Sequence, residues 1–155
     1  MARTDQRAVP LILIAIVFAL LAARTASRFV KPKTNGGAVQ WVAVEEGVRR
    51  AAASSRPIML FFTAEWCGPC HMLEEQVFAN AEVAREINER VVAVRVLDRK
   101  REEGRNSEVV DQLEQRYTVR GFPTLVFVDA NGAERARMEG FRPAEEFERV
   151  LESIR

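Results

Sequence analysis

Two cysteines separated by two residues constrain this chain more than any other feature. Cys67 and Cys70 are its only cysteines, and they lie between an apolar run at residues 58–62 and a stretch of helical spacing that extends to about Phe78. A buried strand followed by a helix is the context in which a C-x-x-C pair carries out redox chemistry. Two cysteines are too few for a disulfide-stabilised scaffold, and with the lone His71 they fall short of the four ligands of structural zinc.

The start of a helix favours a reactive sulfur at the first cysteine. Disulfide exchange needs a thiolate, whereas a free cysteine near neutral pH is mostly protonated. The partial positive charge and free N–H groups of a helix N-terminus stabilise the anion of Cys67. Gly68 permits the turn, and Pro69 fits the first helical turn because no N–H is needed there. We therefore expect Cys67 to be the exposed nucleophile and Cys70 to be the shielded resolving thiol.

The rest of the chain alternates between helical and strand patterns. Periodic apolar residues and β-prone runs predict helices over residues 41–54, 80–90, 107–116 and 143–154, and strands over residues 58–62, 91–97, 124–128 and 134–138. Asn80 and Ser107 are suitable helix caps, Pro143 suits the start of the last helix, and Asn131-Gly132 predicts a hairpin. Strands separated by helices imply parallel pairing, with one antiparallel edge strand from the hairpin. We expect a mixed α/β sheet flanked by helices.

Finer expectations concern individual side chains. The apolar face of the amphipathic helix over residues 41–54 is predicted to carry Val44, Val48, Ala51 and Ala52. Val109, Val110 and Leu113 are predicted to face inward on the helix over residues 107–116. The alternating charges of residues 98–105 predict a solvated loop.

Three motifs together resemble the thioredoxin family. Residues 62–71, FTAEWCGPCH, look like its active site, residues 121–124, GFPT, resemble its cis-proline loop, and Gly140-Phe141 resembles the glycine after its edge strand. The resemblance covers roughly residues 40–155 and implies a thioredoxin fold with a redox disulfide between Cys67 and Cys70. It also implies a cis Pro123, which is energetically accessible, in a loop that pairs with an extended substrate segment.

The same resemblance implies a substrate-binding surface around the cysteine pair. Trp66 is expected to cover the disulfide there, the alternative being plain packing. His71 either tunes the thiolate or faces solvent. The residues assigned to the substrate-binding surface are Trp66, Gly68, Pro69, Phe122 and Thr124.

The helix after the cysteines resembles one subgroup of the thioredoxin family. Residues 74–83 are similar to the C-terminal domain of the thiol:disulfide interchange protein DsbD, a periplasmic reductant module. Thioredoxins usually carry a buried Asp six residues before the first cysteine, where this chain has Phe61. Glu74 lies on the helix face of Cys70 and matches an acidic position of the DsbD-like domain, so it is assigned to proton transfer, the alternative being a solvated carboxylate. Arg95 is expected to face Glu74 or solvent.

An apolar N-terminal segment predicts a membrane anchor. Residues 9–23 contain no charged or polar side chain and would span about 22 Å as a helix, short of the roughly 30 Å hydrocarbon core. Arg3 and Arg7 precede the run, and no clean cleavage site follows it, which favours an uncleaved signal-anchor over residues 1–30 rather than a removed signal peptide. Residues 31–38 predict a linker, and residues 39–155 the thioredoxin-like domain.

The orientation in the membrane rests on two opposing signals. Counting the positive charges after the apolar run places the domain in the cytoplasm, whereas the export-signal layout favours the periplasm. We expect a bacterial inner-membrane protein with its domain in the periplasm; a cytoplasmic-facing domain and a cleaved, secreted form are the alternatives.

The charge balance and the motifs limit the function. Four of the 23 basic and one of the 22 acidic residues fall within residues 1–30, leaving a net charge of −2, which argues against nucleic acid. There is no phosphate-binding loop, metal-ligand cluster or Ser/His/Asp arrangement, so no cofactor is implied. We expect a protein-disulfide reductase that takes electrons from an upstream donor protein. A thiol oxidase or disulfide isomerase, and a non-catalytic binding module using the groove at Pro123, are the alternatives.

Overall fold

The computed structural model describes residues 38–154, which form a four-stranded mixed sheet with helices on both faces. The predicted signal-anchor and nearly all of the predicted linker lie outside these residues. Within residues 38–154, none of the helices has the length and apolar character needed to cross a membrane. The elements in chain order are α1 (Val44–Ser54), β1 (Ile58–Ala64), α2 (Gly68–Leu73), a π-helical turn (Glu74–Phe78), α3 (Ala81–Arg90), β2 (Val92–Asp98), α4 (Lys100–Glu103), α5 (Glu108–Arg116), β3 (Thr124–Val128), β4 (Glu134–Glu139) and α6 (Ala144–Ser153).

The sheet has the strand order β2-β1-β3-β4. β2 is parallel to β1, whereas β3 is antiparallel to β1, so the prediction that all helix-separated strands pair in parallel was wrong for β3. The reason is visible in the register: Ala64 pairs with Asp98, and Phe62 pairs with Thr124. The connection between β2 and β3 therefore begins and ends at the same end of the sheet. That end carries the cysteine pair.

The predicted buried strand is confirmed, because every residue of β1 is buried. Its side chains alternate between two apolar clusters, as the pleat of a strand requires. Met59 and Phe61 face the cluster beneath α2, α3 and α6, while Leu60 and Phe62 face the cluster beneath α1 and α5. β1 therefore anchors both layers of the domain and leads directly into the cysteine pair.

Capping and turn residues set the element ends where the sequence predicts them. The side chain of Asn80 accepts hydrogen bonds from the N–H groups of Glu82 and Val83 at the start of α3. The Ser107 hydroxyl accepts one from Val110 at the start of α5. The predicted hairpin is also confirmed, because β3 and β4 pair in antiparallel fashion and Gly132 has a φ of 77° in the turn between them.

The beginning of α1 and two inward-facing assignments differ from prediction. α1 begins at Val44 rather than at Trp41, because Val42 forms a parallel bridge with Val94 in β2, which keeps the chain extended there. Val48 is 56% exposed and Val109 is 37% exposed, so neither lies in the core as predicted. The two helices cover the sheet with narrower apolar faces than their sequence spacing predicts.

The segment predicted as a solvated loop, residues 98–105, is partly ordered by tertiary contacts. Asp98 is buried and accepts a hydrogen bond from Asn106 Nδ2 at 2.7 Å. The short helix α4 follows, and the Arg99 guanidinium donates to the Glu103 carboxylate one turn later at 2.7 Å. The alternating charges thus pair along a helical turn instead of facing only water.

Candidate active site

The cysteine pair lies at the N-terminus of α2 and is joined by a disulfide. Cys67 is the N-cap of this helix, with extended backbone angles, and Cys70 is one turn inside it. The backbone N–H of Cys70 donates to the Cys67 sulfur at 3.2 Å, and the Cys67 carbonyl accepts from Cys70 and His71. A helix terminus and a donor directed at this sulfur favour the anion that forms there on reduction.

The burial of the two sulfurs differs less than predicted. Cys67 is 2% exposed and Cys70 is 0% exposed, so the expectation that Cys67 would be an exposed nucleophile is wrong for this disulfide form. Both side chains belong to the apolar cluster beneath α2, which accounts for their burial. Gly68 and Pro69 between them are exposed, so the approach to Cys67 lies over the start of the helix.

The proline loop contains the cis bond that the resemblance implied, between Phe122 and Pro123. Pro123 is buried, and its carbonyl accepts a hydrogen bond from the N–H of Gly140 at 2.8 Å. The Thr124 hydroxyl donates to the Gly121 carbonyl at 2.7 Å, and this threonine is 2% exposed. The Thr124 side chain therefore holds the shape of the loop, and its assigned substrate-binding role stays a prediction.

An aromatic pair joins the proline loop to the cysteine pair. The rings of Trp66 and Phe122 meet edge to face with centroids 5.9 Å apart. Trp66 is 48% exposed, although it directly precedes a buried cysteine. Exposed aromatic surface of this kind is typical of protein-binding sites. The structure thus places Trp66 and Phe122, two of the assigned substrate-binding residues, side by side next to Cys67.

The position of the missing buried acid is filled by an aromatic cluster. Phe61 is fully buried, and its ring contacts those of Trp41 and Phe78 at centroid distances of 5.4 Å and 5.3 Å. Arg95, the partner of Phe61 in the β1–β2 register, places its guanidinium 5.2 Å from the Trp41 ring and 5.8 Å from the Phe61 ring. The Arg95 guanidinium thus stacks on aromatic rings, and position 61 holds no acid to pair with it.

The guanidinium of Arg95 forms an ion pair with Glu74. Nη1 of Arg95 lies 3.1 Å from Oε1 of Glu74, and the Glu74 side chain is 30% exposed. Of the two orientations expected for Arg95, the one facing Glu74 is therefore found. Glu74 begins the π-helical turn, and its N–H donates to the Cys70 carbonyl. The backbone of Glu74 is thus fixed one turn beyond the second cysteine, and its carboxylate is held by Arg95, while its assigned role in proton transfer stays a prediction.

His71 is exposed on α2, which agrees with its solvent-facing alternative. Its Nε2 atom lies 2.9 Å from the Glu65 carbonyl oxygen. This contact ties the imidazole to the turn before Trp66.

Two residues contact the site although no sequence pattern assigned them to it. Arg101 on α4 places its guanidinium 5.5 Å from the centroid of the Trp66 ring. Arg99 forms an ion pair with Glu65 at 3.3 Å, which attaches the start of α4 to the turn before Trp66. The spacing of Arg99 and Glu103 was a detectable helical signal, whereas the contacts with Glu65 and Trp66 arise from the tertiary fold.

The fold and the disulfide at the start of α2 define a thioredoxin-fold protein with a Cys-x-x-Cys site. A family model described as the thioredoxin-like domain matches residues 44–155, and the chain belongs to that family. The resemblance to the thioredoxin family is therefore confirmed.

Individual relatives agree with this assignment. The chain is 32% identical over 108 residues to the disulfide bond reductase DsbH of Chlamydia pneumoniae, covering 68% of this chain and 64% of that protein. It is 33% identical over 105 residues to the thiol:disulfide interchange protein DsbD of Ralstonia nicotianae, covering 67% of this chain and 16% of that protein. The chain thus spans less than two thirds of either relative.

A solved structure of a DsbD domain has a similar fold. The oxidised C-terminal domain of DsbD from Neisseria meningitidis superposes with a TM-score of 0.58 at 22% identity, covering 72% of this chain and 91% of that one.

Proposed function

We propose that this chain is a membrane-tethered thiol-disulfide oxidoreductase that reduces disulfides in exported proteins through Cys67 and Cys70. One observation carries the proposal: the disulfide lies at the N-terminus of α2, where the Cys70 N–H is directed at the Cys67 sulfur. The aromatic pair of Trp66 and Phe122 lies beside it on the side of the cis-proline loop.

The reaction consists of two thiol-disulfide exchanges. In the reduced protein, the Cys67 thiolate attacks one sulfur of the substrate disulfide, and the other substrate sulfur leaves as a thiolate and takes a proton. Cys70 then loses its proton and attacks the Cys67 sulfur of the mixed disulfide. The second substrate thiol leaves and the Cys67–Cys70 bond forms. Two electrons pass to the substrate, and a donor protein returns the pair to the dithiol.

The direction of the reaction is inferred from two features. The residues between the cysteines, Gly68-Pro69, resemble those of reducing thioredoxins, and the Chlamydia relative is named a reductase. Equilibrating the purified domain with glutathione tests the direction. A reductant gives a potential near that of thioredoxin, about −270 mV, whereas an oxidase or isomerase lies at about −180 to −120 mV.

The tether and its location are supported by the sequence. Residues 9–23 provide the apolar segment, residues 31–38 the polar linker, and the export-signal layout favours a periplasmic domain at the inner membrane. Labelling Cys67 in intact cells with a membrane-impermeant thiol reagent tests the orientation. After mild reduction, we expect Cys67 to be labelled and the labelled protein to sediment with the membranes. Soluble labelled protein indicates a cleaved form, and unlabelled protein a cytoplasmic domain.

Trapping tests the enzymatic part of the proposal. Cys70→Ser removes the resolving thiol, so the variant is expected to accumulate as mixed disulfides with its substrates on non-reducing gels. Cys67→Ser is the matched control, because it removes the nucleophile from the same helix and is expected to trap no partner. If Cys67→Ser retains the activity of the natural chain in cells, the protein is a non-catalytic binding module instead.

A further inference from the structure

The basic segment, residues 99–101 at the start of α4, carries three adjacent cations that have different surroundings. Arg99 pairs with Glu65 at 3.3 Å and with Glu103 at 2.7 Å. Lys100 Nζ lies 2.8 Å from Glu114 and 3.0 Å from Asp111. These hydrogen bonds, that of Glu114 first, raise the pKa of Lys100 well above its ordinary value. Both cations are therefore neutralised by carboxylates of the protein.

The third cation, Arg101, has no such partner. Its side chain is exposed, and within residues 38–154 no carboxylate lies within ion-pairing distance of it. It contacts the Trp66 ring, with 5.5 Å between the guanidinium carbon and the ring centroid. A cation–π contact at an exposed site is weak and leaves the guanidinium N–H groups able to donate.

The two neutralised cations explain why the third is located beside the site. The ion pair of Arg99 with Glu65 attaches α4 to the turn before Trp66, and the carboxylates around Lys100 attach it to α5. Arg101 is thereby held over Trp66, the residue next to Cys67. A second exposed arginine without an ion pair among the described residues, Arg120, lies two positions before Phe122 in the proline loop. Positive charge without an ion pair therefore lies over the Trp66 ring, from Arg101 on α4, and two positions before Phe122, from Arg120.

We propose that Arg101 is a specificity-determining residue that favours protein substrates carrying an aspartate or glutamate beside the reactive cysteine. This inference rests on the proposed oxidoreductase function and adds a substrate class to it. A carboxylate docked over Trp66 accepts charge-assisted hydrogen bonds from Arg101, which are stronger than hydrogen bonds between neutral groups. Before contact, the uncompensated charge raises the association rate of acidic segments, an effect that salt weakens.

A pair of matched peptides tests the inference. Both contain the same disulfide, and they differ only in having Glu or Gln next to the cysteine that Cys67 attacks. With the natural chain at low salt, kcat/KM is expected to be about 1.5- to fivefold higher for the Glu peptide, the range of an exposed charge pair. The advantage is expected to reside in KM. It is expected to shrink when the salt is raised from 0.1 M to 1 M, because the screening length then falls from about 10 Å to about 3 Å.

Variants of the basic segment complete the test. Arg101→Gln is expected to abolish the preference for the Glu peptide, and Arg101→Lys to retain part of it. Arg85→Gln is the control, because Arg85 is an exposed arginine on α3 that pairs with Glu89. It removes the same charge away from the site and is expected to retain the full preference.

The outcomes separate the inference from the proposed function. Equal kcat/KM values for the two peptides with the natural chain, or a preference that persists in Arg101→Gln, overturn the role of Arg101 while leaving the oxidoreductase intact. If the natural chain reduces neither peptide, the proposed function fails, and the substrate preference fails with it.

Discussion

The guanidinium of Arg95 lies 3.1 Å from the carboxylate of Glu74 while it stacks on Phe61, the residue that occupies the position of the usual buried acid. The acid that pairs with Arg95 therefore begins the π-helical turn and is partly exposed, whereas the usual buried acid of thioredoxins would lie on β1. Its basic partner, Arg95, also stacks on the Trp41 ring.

We predict that Glu74→Gln slows turnover by about 100-fold with little change in KM, the lower end of the contribution of a positioned proton acceptor. The substitution keeps the size of the side chain and removes its ability to take up the Cys70 proton. Stopped-flow measurement of mixed-disulfide resolution over a range of pH checks this. Glu75→Gln is the control, because Glu75 is exposed and has no ion pair among the described residues. Equal rates for both variants would mean that Glu74 takes up no proton from Cys70.

Replacing Trp66 is expected to impair substrate binding more than folding. Trp66→Ala removes an exposed ring beside Cys67 and its contact with Phe122, so KM for a protein substrate is expected to rise about tenfold, as for an aromatic anchor of an interface. The urea midpoint of unfolding is expected to change little, because the ring is 48% exposed. Trp66→Phe should restore most of the binding. A large loss of stability with unchanged KM would assign Trp66 to packing alone.

Gly47 is predicted to tolerate no side chain. A Cβ atom at this position of α1 would lie 2.2 Å from Cγ2 of Val94, which is 1% exposed on β2. Gly47→Ala should therefore lower the free energy of unfolding by about 1–3 kcal/mol, the range for overpacking, despite the better helix propensity of alanine. Gly121→Ala is the control, because no atom lies within 4 Å of the Cβ it would add. Urea unfolding of both variants checks this, and an unchanged Gly47→Ala would contradict the close contact of α1 with β2.

Asp129 is expected to make stability depend on pH in the acid range. Hydrogen bonds from the N–H of Ala133 foremost, then Asn131, and the charge of Arg135 hold the pKa of Asp129 below its ordinary value. A lowered folded-state pKa contributes stability above the unfolded pKa of about 3.9, and that stability is lost as pH falls through the folded value.

Asp129→Asn keeps an oxygen acceptor and removes the charge, so it is expected to be less stable than the natural chain at pH 7. This difference should shrink as the pH falls below about 4. Urea midpoints between pH 2.5 and 7 measure it. Glu152→Gln, an exposed acid with no ion pair in the part of the chain that the structure describes, serves as the comparison. A gap for Asp129→Asn that stays constant with pH would contradict a role of the carboxylate charge.

Local patterns in the sequence predict the features of this domain that depend on neighbouring residues. The apolar run of β1, the caps Asn80 and Ser107 and the turn at Gly132 each act over a few positions, and the structure contains all of them. The ion pair of Glu74 with Arg95 was also predictable, because Phe61 stands at the position of the usual acid and leaves Arg95 without that partner.

Features that depend on the return path of the chain were not predictable in this way. The antiparallel direction of β3 depends on where residues 117–123 re-enter the sheet, and no local periodicity encodes that position. The burial of Cys67 depends on the apolar cluster assembled beneath α2. The contact of Arg101 with Trp66 depends on a four-residue helix that is too short to give a periodic signal and is positioned by the ion pair of Arg99 with Glu65.

β1 is hydrogen-bonded on both sides, by β2 and by β3, and it ends three residues before Cys67. Amide protons of such a central strand exchange with solvent only through the largest openings of a domain, whereas short peripheral helices open readily. We therefore expect Cys67 to follow the slowest-exchanging strand of residues 38–154, whereas Arg101 belongs to a short peripheral helix that is expected to open more readily. Recognition can adapt to different polypeptides without loosening the bond that is exchanged.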